Sequence, residues 1–372
     1  MRGPRARART VKGMTANTTT APAIDSLIDW GLALRITEKV VRPGPEVSRD
    51  EAMATVAELR EVAAVAGPHV ERVARLNAPA GAPPLVVDRL GWAKGNVHGF
   101  RQILAPVIDD VVRRRGKPIG GGMTASVGSR ITGVELGALL AFLSSRVLGQ
   151  YDPYADPGRL MLVAPNVVHV ERELEVVPSD FRLWVALHEE THRVQFAATP
   201  WLTEHILARV RSLVGDLLVD PGQIAERVVS VLRGLPDVVR GGQDSGAGLL
   251  SAVQTPEQRR QLAEVTAVMS LLEGHADVVM DEVGPGVVPT VDQIRERFTK
   301  RRAGRGAVDQ LLRRLLGLDA KMRQYADGAR FVRAVTEKVG IEGFNAVWAA
   351  PENLPLPDEI ADPALWVRRV HG

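Results

Sequence analysis

The stretch LHEETHRVQF, residues 187–196, sets His188 and His192 four positions apart, with Glu189 directly after the first histidine. Side chains four apart on a helix share one face, so both imidazoles can reach a single metal ion. Glu189 then lies about 100° round the helix from His188, beside the ion rather than on it. A carboxylate there can take a proton from a metal-coordinated water, which is the base role in zinc hydrolases. The spacing therefore predicts a hydrolytic site with one Zn²⁺ per chain.

The residues around this motif indicate a largely apolar helix. We therefore expect the two histidines to lie on or beside a buried face. Phe181, Trp184 and Phe196 flank the two histidines. A single histidine on such a helix is typical of the core, whereas two at metal spacing around a glutamate favour ligands. Glu190 is unusual, because zinc peptidases generally carry an uncharged residue there. The alternative is an ordinary helix with scattered polar residues.

A catalytic zinc generally has three protein ligands, and the stretch LLEGHADVVMD offers the third. Glu273 falls in an apolar stripe, where a carboxylate is costly unless it meets a cation. We expect Asp277, one turn later, to accept a hydrogen bond from a ligand histidine, and Gly274 to let this helix and the motif helix approach closely. His275 is the rival ligand, but it lies about 200° from Glu273, so a regular helix cannot present both. The position of Glu273 in the apolar stripe favours it over His275 only slightly. The alternative role for Glu273 is an ion pair within the helix.

The elements that must position these side chains are mainly helical. Apolar residues recur three and four apart over most of the chain, and Ser48 with Glu51 has the spacing of a helix-capping box. A short apolar run at 160–163 predicts a buried or edge strand just before the motif helix, which Pro178 would begin. Such a strand could hold an extended peptide by backbone pairing.

Composition excludes several classes of protein. The chain has 372 residues and no cysteine, so a transition-metal site must use histidine and carboxylate ligands. The net charge is +3, but the first thirteen residues hold five basic side chains and no acidic one. The remaining chain has no overall attraction for nucleic acid or anionic lipid, and no apolar run is long enough to span a membrane. We expect a soluble cytoplasmic protein with neither nucleic acid nor membrane as partner.

The chain divides into three parts by sequence texture. Residues 1–23 form a basic and Thr-rich tail that we expect to be disordered, and Met14 is an alternative start. Residues 24–150 form an N-terminal helical part, and residues 151–372 hold the metal motifs. We expect these last two parts to make one continuous domain. The oligomeric state is not predicted.

Taken together, the motifs resemble one family. From Asp29 to Asp362 the chain is similar to the zincin-like metallopeptidases, a family of uncharacterised hydrolases labelled as associated with deazaflavin coenzyme biosynthesis. The similarity depends on LHEETHRVQF and LLEGHADVVMD, together with VLGQYDP, LVAPNV, KMRQYADGARFV and LPLPDEIADP.

This resemblance implies a predominantly helical α+β fold, with a small sheet beside the motif helix. It implies His188, His192 and Glu273 as ligands and Glu189 as the base. By analogy with tyrosines of other zincins, Tyr325 would stabilise the oxyanion, with Arg323 and Arg330 as further candidates. The expected function is a zinc metallopeptidase acting on a peptide or a small amide. The alternative is a non-catalytic scaffold that keeps the zincin fold and a structural or vestigial metal site.

Overall fold

The computed structural model describes residues 24–115, 123–218, 256–303 and 318–372. The tail predicted for residues 1–23 lies outside these ranges. Helices make up most of the described chain, and a three-stranded sheet completes it. The helices are α1 (Ile24–Leu27), α2 (Trp30–Val40), α3 (Arg49–Ala74), α4 (Arg89–Arg115), α5 (Met123–Ser144), α6 (Ala164–Leu174), α7 (Pro178–Ala198), α8 (Pro200–Leu218), α9 (Pro256–Val283), α10 (Val291–Ala303), α11 (Leu318–Phe344), α12 (Pro357–Ala361) and α13 (Pro363–His371). The α+β class, predominantly helical with a small sheet, is confirmed.

Local sequence signals explain several helix boundaries. The hydroxyl of Ser48 accepts a hydrogen bond from the backbone N–H of Glu51 and caps α3, as the capping-box spacing predicts. Pro178 begins α7 at the first helical turn, where its missing N–H costs no hydrogen bond. Gly340 interrupts α11 with a φ of 75°, a conformation that glycine adopts without steric cost.

The sheet consists of β1 (Leu85–Val87), β2 (Gly149–Asp152) and β3 (Arg159–Val163), in the order β1-β3-β2. Strand β3 pairs in parallel with β1 and antiparallel with β2. The predicted strand is therefore the central one. The suggestion that it binds a peptide by backbone pairing is wrong, because β1 and β2 already occupy both of its edges. The edge strand beside the motif helix is β2.

The main hydrophobic core forms where α3, α7, α9 and α11 pack together. Phe181 and Leu187 of the motif helix are fully buried in it, beside Leu59 of α3 and Leu271 of α9. Full burial of each such side chain contributes about 1.5–3 kcal/mol of hydrophobic free energy. This packing holds the motif helix rigidly against the helix that carries Glu273.

Two glycines allow α9 and α11 to cross at backbone contact. A Cβ built on Gly274 would lie 2.1 Å from the carbonyl carbon of Gly328, and one on Gly328 would lie 1.9 Å from the carbonyl oxygen of Ser270. The close approach expected at Gly274 is present, but the helix that approaches there is α11 and not the motif helix. The crossing therefore also fixes the backbone position of Glu273, which directly precedes Gly274.

Among the described residues, no helix combines the length and the apolar character that a membrane span requires.

Candidate metal centre

The structure brings the two motif histidines and Glu273 into one cluster, although α7 and α9 are far apart in sequence. The Nε2 atoms of His188 and His192 are 3.3 Å apart. The Oε2 atom of Glu273 lies 3.5 Å from Nε2 of His188 and 3.7 Å from Nε2 of His192. Glu273 is 9% exposed, so these three side chains converge at the edge of the core and could together hold a metal ion.

The separations suit a zinc ion. Zinc binds histidine nitrogen and carboxylate oxygen at about 2.0–2.2 Å in tetrahedral sites, and three such ligand atoms then lie about 3.3–3.5 Å from one another. The observed distances of 3.3, 3.5 and 3.7 Å are close to this requirement. Two imidazoles and one carboxylate are also the donor set of several catalytic zinc sites, which leave a fourth position for water. The residues present therefore fit zinc.

A hydrogen-bond relay fixes the orientation of the His192 ring. Nε2 of Gln195 lies 2.9 Å from the carbonyl oxygen of Leu272, which can only accept, so the Gln195 amide nitrogen must face it. The Gln195 Oε1 atom therefore faces Nδ1 of His192, at 2.9 Å, and accepts its proton. This tautomer leaves the Nε2 lone pair of His192 directed at the cluster.

The Nδ1 atom of His188 has a weaker hydrogen-bond partner than that of His192, a methionine side chain of α9. Its Nδ1 lies 3.3 Å from the Sδ atom of Met280, and a thioether is only a weak acceptor. The contact still directs Nδ1 away from the cluster, so that Nε2 points towards Glu273. The two histidines are thus held unequally, His192 by a strong hydrogen bond and His188 mainly by packing.

Glu189 lies beside the cluster and under the edge strand. It is 7% exposed, and the backbone N–H of Tyr151 donates a hydrogen bond to its carboxylate. A Cβ on Gly149 would lie 2.5 Å from Cγ of Glu189 and 2.9 Å from its Oε1. Only glycine leaves room there, so β2 fixes the position of the Glu189 carboxylate.

The electrostatics of the cluster favour a cation. Burial acts to raise the pKa of Glu273, but hydrogen bonds from His188 and His192 outweigh it and hold the pKa well below the usual value. Burial acts to lower the pKa of His192, yet Glu273 and Glu189 raise it to about 9. Burial raises the pKa of Glu189, with partial offset from the two histidines. Positive charge at the centre of the cluster is therefore strongly stabilised.

A cleft of about 620 Å³ opens onto these residues. His188, Glu189, His192 and Glu273 contribute its polar part, and the aromatic rings of Tyr151, Tyr154, Trp184, Phe196 and Phe298 form much of its apolar wall. Volumes of about 300–1,000 Å³ are typical of sites for small molecules or short peptide segments. The cluster is thus accessible to a substrate of this size.

His275 does not join the cluster. Its ring is 1% exposed and stacks on Phe344, with ring centroids 5.4 Å apart, and Nδ1 lies 3.0 Å from the amide nitrogen of Gln195. Burial lowers the pKa of His275 to about 3, so the ring is neutral. Of the two candidates for the third ligand, the geometry therefore favours Glu273, because His275 lies on the opposite face of α9.

The structure corrects the role expected for Asp277. Its carbonyl oxygen accepts a hydrogen bond from Arg295 at 3.0 Å, and its carboxylate pairs with the same guanidinium at 3.4 Å. The acceptor beside His192 is Gln195 instead. That residue follows His192 by three positions, and this same-face helix spacing was the signal available in the sequence.

The remaining candidates lie elsewhere. Glu190, the unusual charge in the motif, points away from the cluster and forms a buried ion pair with Arg193. His205, which the sequence offers in WLTEHIL as a weaker candidate for the third ligand, stacks against Trp201 with ring centroids 5.9 Å apart. Arg330 is exposed and pairs with Asp327 at 3.1 Å. The side chains of Tyr325 and Arg323 lie outside the part of the chain that the structure describes, so the oxyanion role stays a prediction.

Comparison with known proteins agrees with this geometry. Residues 28–367 match the family described as zincin-like metallopeptidase. A crystal structure from Chloroflexus aurantiacus, described as that of "a putative hydrolase with a novel fold", is similar at 31% sequence identity and a TM-score of 0.62. The similarity covers 92% of this chain and 98% of that one. No curated protein matches the sequence.

Proposed function

The chain belongs to the zincin-like metallopeptidase family, and we propose that it is a zinc-dependent hydrolase that cleaves peptide bonds. His188, His192 and Glu273 would hold the metal, and Glu189 would act as general base and acid. The observation that carries the proposal is the convergence of three ligand atoms within 3.7 Å of one another, beside a buried carboxylate on an open cleft.

Each of these residues has a defined task. A zinc ion held by the three ligands would polarise a scissile carbonyl and lower the pKa of a coordinated water. Glu189 takes the proton from the attacking water and delivers it to the leaving amine as the C–N bond breaks. The Tyr151 N–H and the Gly149 backbone hold the Glu189 carboxylate in place for both transfers.

The neighbourhood of Glu189 favours catalysis over a purely structural metal site. A structural zinc closes its fourth position with a protein ligand, whereas the cluster here comprises three residues among those the structure describes. A structural site also gains nothing from a carboxylate beside the metal. The buried position of Glu189 and its support by β2 are explained by proton transfer.

Two measurements on the full-length protein test the proposal. Metal analysis after purification without chelator should give about one zinc per chain, with strong loss in the His192→Ala variant. Hydrolysis of a mixed peptide library should occur with the wild type and fall by at least about 10³-fold in Glu189→Gln, which keeps the size of the side chain. Failure to bind zinc would overturn the proposal. Zinc binding with hydrolysis that Glu189→Gln leaves unchanged would instead favour the scaffold alternative.

A further inference from the structure

His275 is a buried histidine to which the proposed mechanism assigns no role. Its ring is 1% exposed and lies among aromatic neighbours, with ring centroids 5.4 Å from Phe344 and 5.3 Å from Trp348. A phenylalanine could fill such an apolar environment. An imidazole brings two polar nitrogen atoms, and their removal from water is costly unless they form hydrogen bonds. A histidine at this position therefore requires a polar partner.

That partner is Gln195 of the motif helix. Nδ1 of His275 lies 3.0 Å from the amide nitrogen of Gln195, whereas Nε2 has no hydrogen-bond partner among the residues that the structure describes. Because an amide nitrogen can only donate, Nδ1 must accept, and the proton of the imidazole lies on Nε2. The contact with Gln195 thus selects one tautomer of His275.

The Gln195 amide is held by three hydrogen bonds. Its nitrogen donates one proton to the carbonyl oxygen of Leu272, at 2.9 Å, and the other to Nδ1 of His275. Its oxygen accepts the Nδ1 proton of His192, at 2.9 Å. The bond to Leu272 alone would allow the amide to rotate about that bond. Two donor bonds to acceptors in fixed positions define the plane of the amide, and hence the direction in which its oxygen faces His192.

These hydrogen bonds connect the two helices that carry the candidate ligands. His192 and Gln195 belong to α7, whereas Leu272 and His275 belong to α9. In the sequence of α9, Leu272 directly precedes Glu273 and His275 follows it by two positions. The network therefore fixes the ring of one candidate ligand relative to the segment that supplies another.

We propose that His275 is a positioning residue of the metal centre. It orients the Gln195 amide, which in turn holds the ring of His192 with Nε2 directed at the metal. This inference rests on the proposed function, because the metal that His192 would bind is the zinc ion of that proposal. The rival third ligand of the sequence would thus act on the metal through Gln195, without contacting the ion.

A double-mutant cycle on the full-length protein tests this route. Competition with a chromogenic chelator gives the zinc dissociation constants of the wild type, His275→Phe, Gln195→Leu and the double variant. Phenylalanine retains a ring between Phe344 and Trp348 but cannot accept a hydrogen bond. We expect His275→Phe to weaken zinc binding about three- to tenfold, because one supporting hydrogen bond is lost. The same change should have almost no effect in Gln195→Leu, where His275 has no amide left to orient.

Two further variants separate the hydrogen bond from packing. His275→Asn can place its side-chain oxygen near the position of Nδ1, so it should restore most of the zinc affinity that His275→Phe loses. His205→Phe makes the same replacement in a ring that stacks on Trp201, outside the cluster, and should leave the zinc affinity unchanged. If His275→Phe bound zinc as tightly as the wild type, or if the losses added in the double variant, the inference would be overturned and the zinc site would stand.

NMR of isotope-labelled imidazole nitrogens provides a readout that needs no metal. In the zinc-free wild type we expect His275 as the Nε2–H tautomer, with an Nδ1 chemical shift typical of a hydrogen-bond acceptor. Gln195→Leu should shift the Nδ1 signal towards that of a free lone pair. A proton on Nδ1 in the wild type would overturn the inference, because Nδ1 could then not accept from Gln195.

The outcomes distinguish this inference from the proposed function. Absence of zinc binding by the wild type would overturn both. Zinc binding with the expected coupling in the cycle, but without any hydrolysis, would support the role of His275 and count against peptide-bond cleavage alone.

Discussion

The Cα of Gly149 lies so close to Glu189 that a methyl group on it would be 2.5 Å from the glutamate Cγ and 2.8 Å from its carboxyl carbon. Gly149 belongs to the edge strand and Glu189 to the motif helix. The edge strand therefore shapes the position of the candidate base without contributing a side chain. Such a contact separates proton transfer from metal binding, because the three atoms nearest to a Cβ on Gly149 all belong to Glu189 and none to the candidate ligands.

We expect Gly149→Ala to lower hydrolytic activity by about 10²-fold or more while the zinc content stays near that of the wild type. The added methyl displaces the Glu189 carboxylate, and a misplacement of about 1 Å can cost about that much in rate. Steady-state kinetics and metal analysis on the same preparation measure the two quantities. Gly286→Ala is the matched control, because a Cβ there would meet nothing within 4 Å. Equal losses of zinc and activity in Gly149→Ala would contradict the prediction.

Gln195 supports a second prediction, on metal affinity. In Gln195→Leu the Nδ1 proton of His192 loses its acceptor, and the ring is no longer fixed with Nε2 towards Glu273. Loss of such a supporting hydrogen bond generally weakens metal binding about 10–100-fold. Competition with a chromogenic chelator gives the zinc dissociation constant, and Gln261→Leu, at the far end of α9, serves as control. If Gln195→Leu bound zinc as tightly as the wild type, the relay would have no role in holding the metal.

Much of the candidate site could be predicted because its signals are local. His188, Glu189 and His192 lie within one helical turn, and helix geometry alone places the two histidines on the same face. Glu273 could be proposed because a carboxylate in an apolar stripe requires a partner. The helical class followed in the same way from the spacing of apolar residues.

The parts that escaped prediction depend on tertiary packing. The contact of Gly149 with Glu189 joins residues 40 positions apart, and no local sequence pattern indicates it. Asp277 lies on a helix that is apolar on nearly every face, so periodicity could not show that it turns towards Arg295. Strand β3 is central because β1 and β2 pair with it on either side. Both are very short, so neither shows enough alternation of apolar and polar residues to be recognised in the sequence.

The pH dependence of stability has a well-defined contributor at the C-terminal end of the chain. Burial acts to raise the pKa of Glu359, but hydrogen bonds from Arg369, at 2.6 and 2.8 Å, and from the Leu356 N–H hold it below the usual value. A pKa lower in the folded state means that the ionised carboxylate stabilises the fold. This stabilisation is fully present above the unfolded-state value of 4.5 and is lost as the pH falls through the folded-state value.

We therefore expect Glu359→Gln to lower the free energy of unfolding at pH 7, and the difference from the wild type to shrink below about pH 4. Urea denaturation at a series of pH values measures both. Glu337→Gln, which replaces an exposed glutamate of α11, should show little difference at any pH. A deficit in Glu359→Gln that stayed constant down to pH 3 would indicate lost packing rather than lost charge.

The crossing of α9 and α11 yields the last prediction. A methyl group on Gly274 or on Gly328 would run into backbone atoms at 2.1 and 1.9 Å, so no side-chain rotation can relieve the overlap and the helices must separate. We expect the free energy of unfolding of each alanine variant to fall by about 1–3 kcal/mol. Gly274→Ala should also bind zinc more weakly, because Glu273 moves with its neighbour.

Gly67→Ala on α3 is the matched helical control, since its Cβ would meet Arg193 and Glu190 at 3.5 and 3.7 Å, ordinary contact distances. Alanine there should leave stability unchanged or raise it slightly, because it restricts the unfolded chain more than glycine does. The double variant Gly274→Ala/Gly328→Ala should lose less than the sum of the single losses, since helices already forced apart by one methyl group accommodate the second. Additive losses in urea denaturation would show instead that the two glycines serve separate contacts.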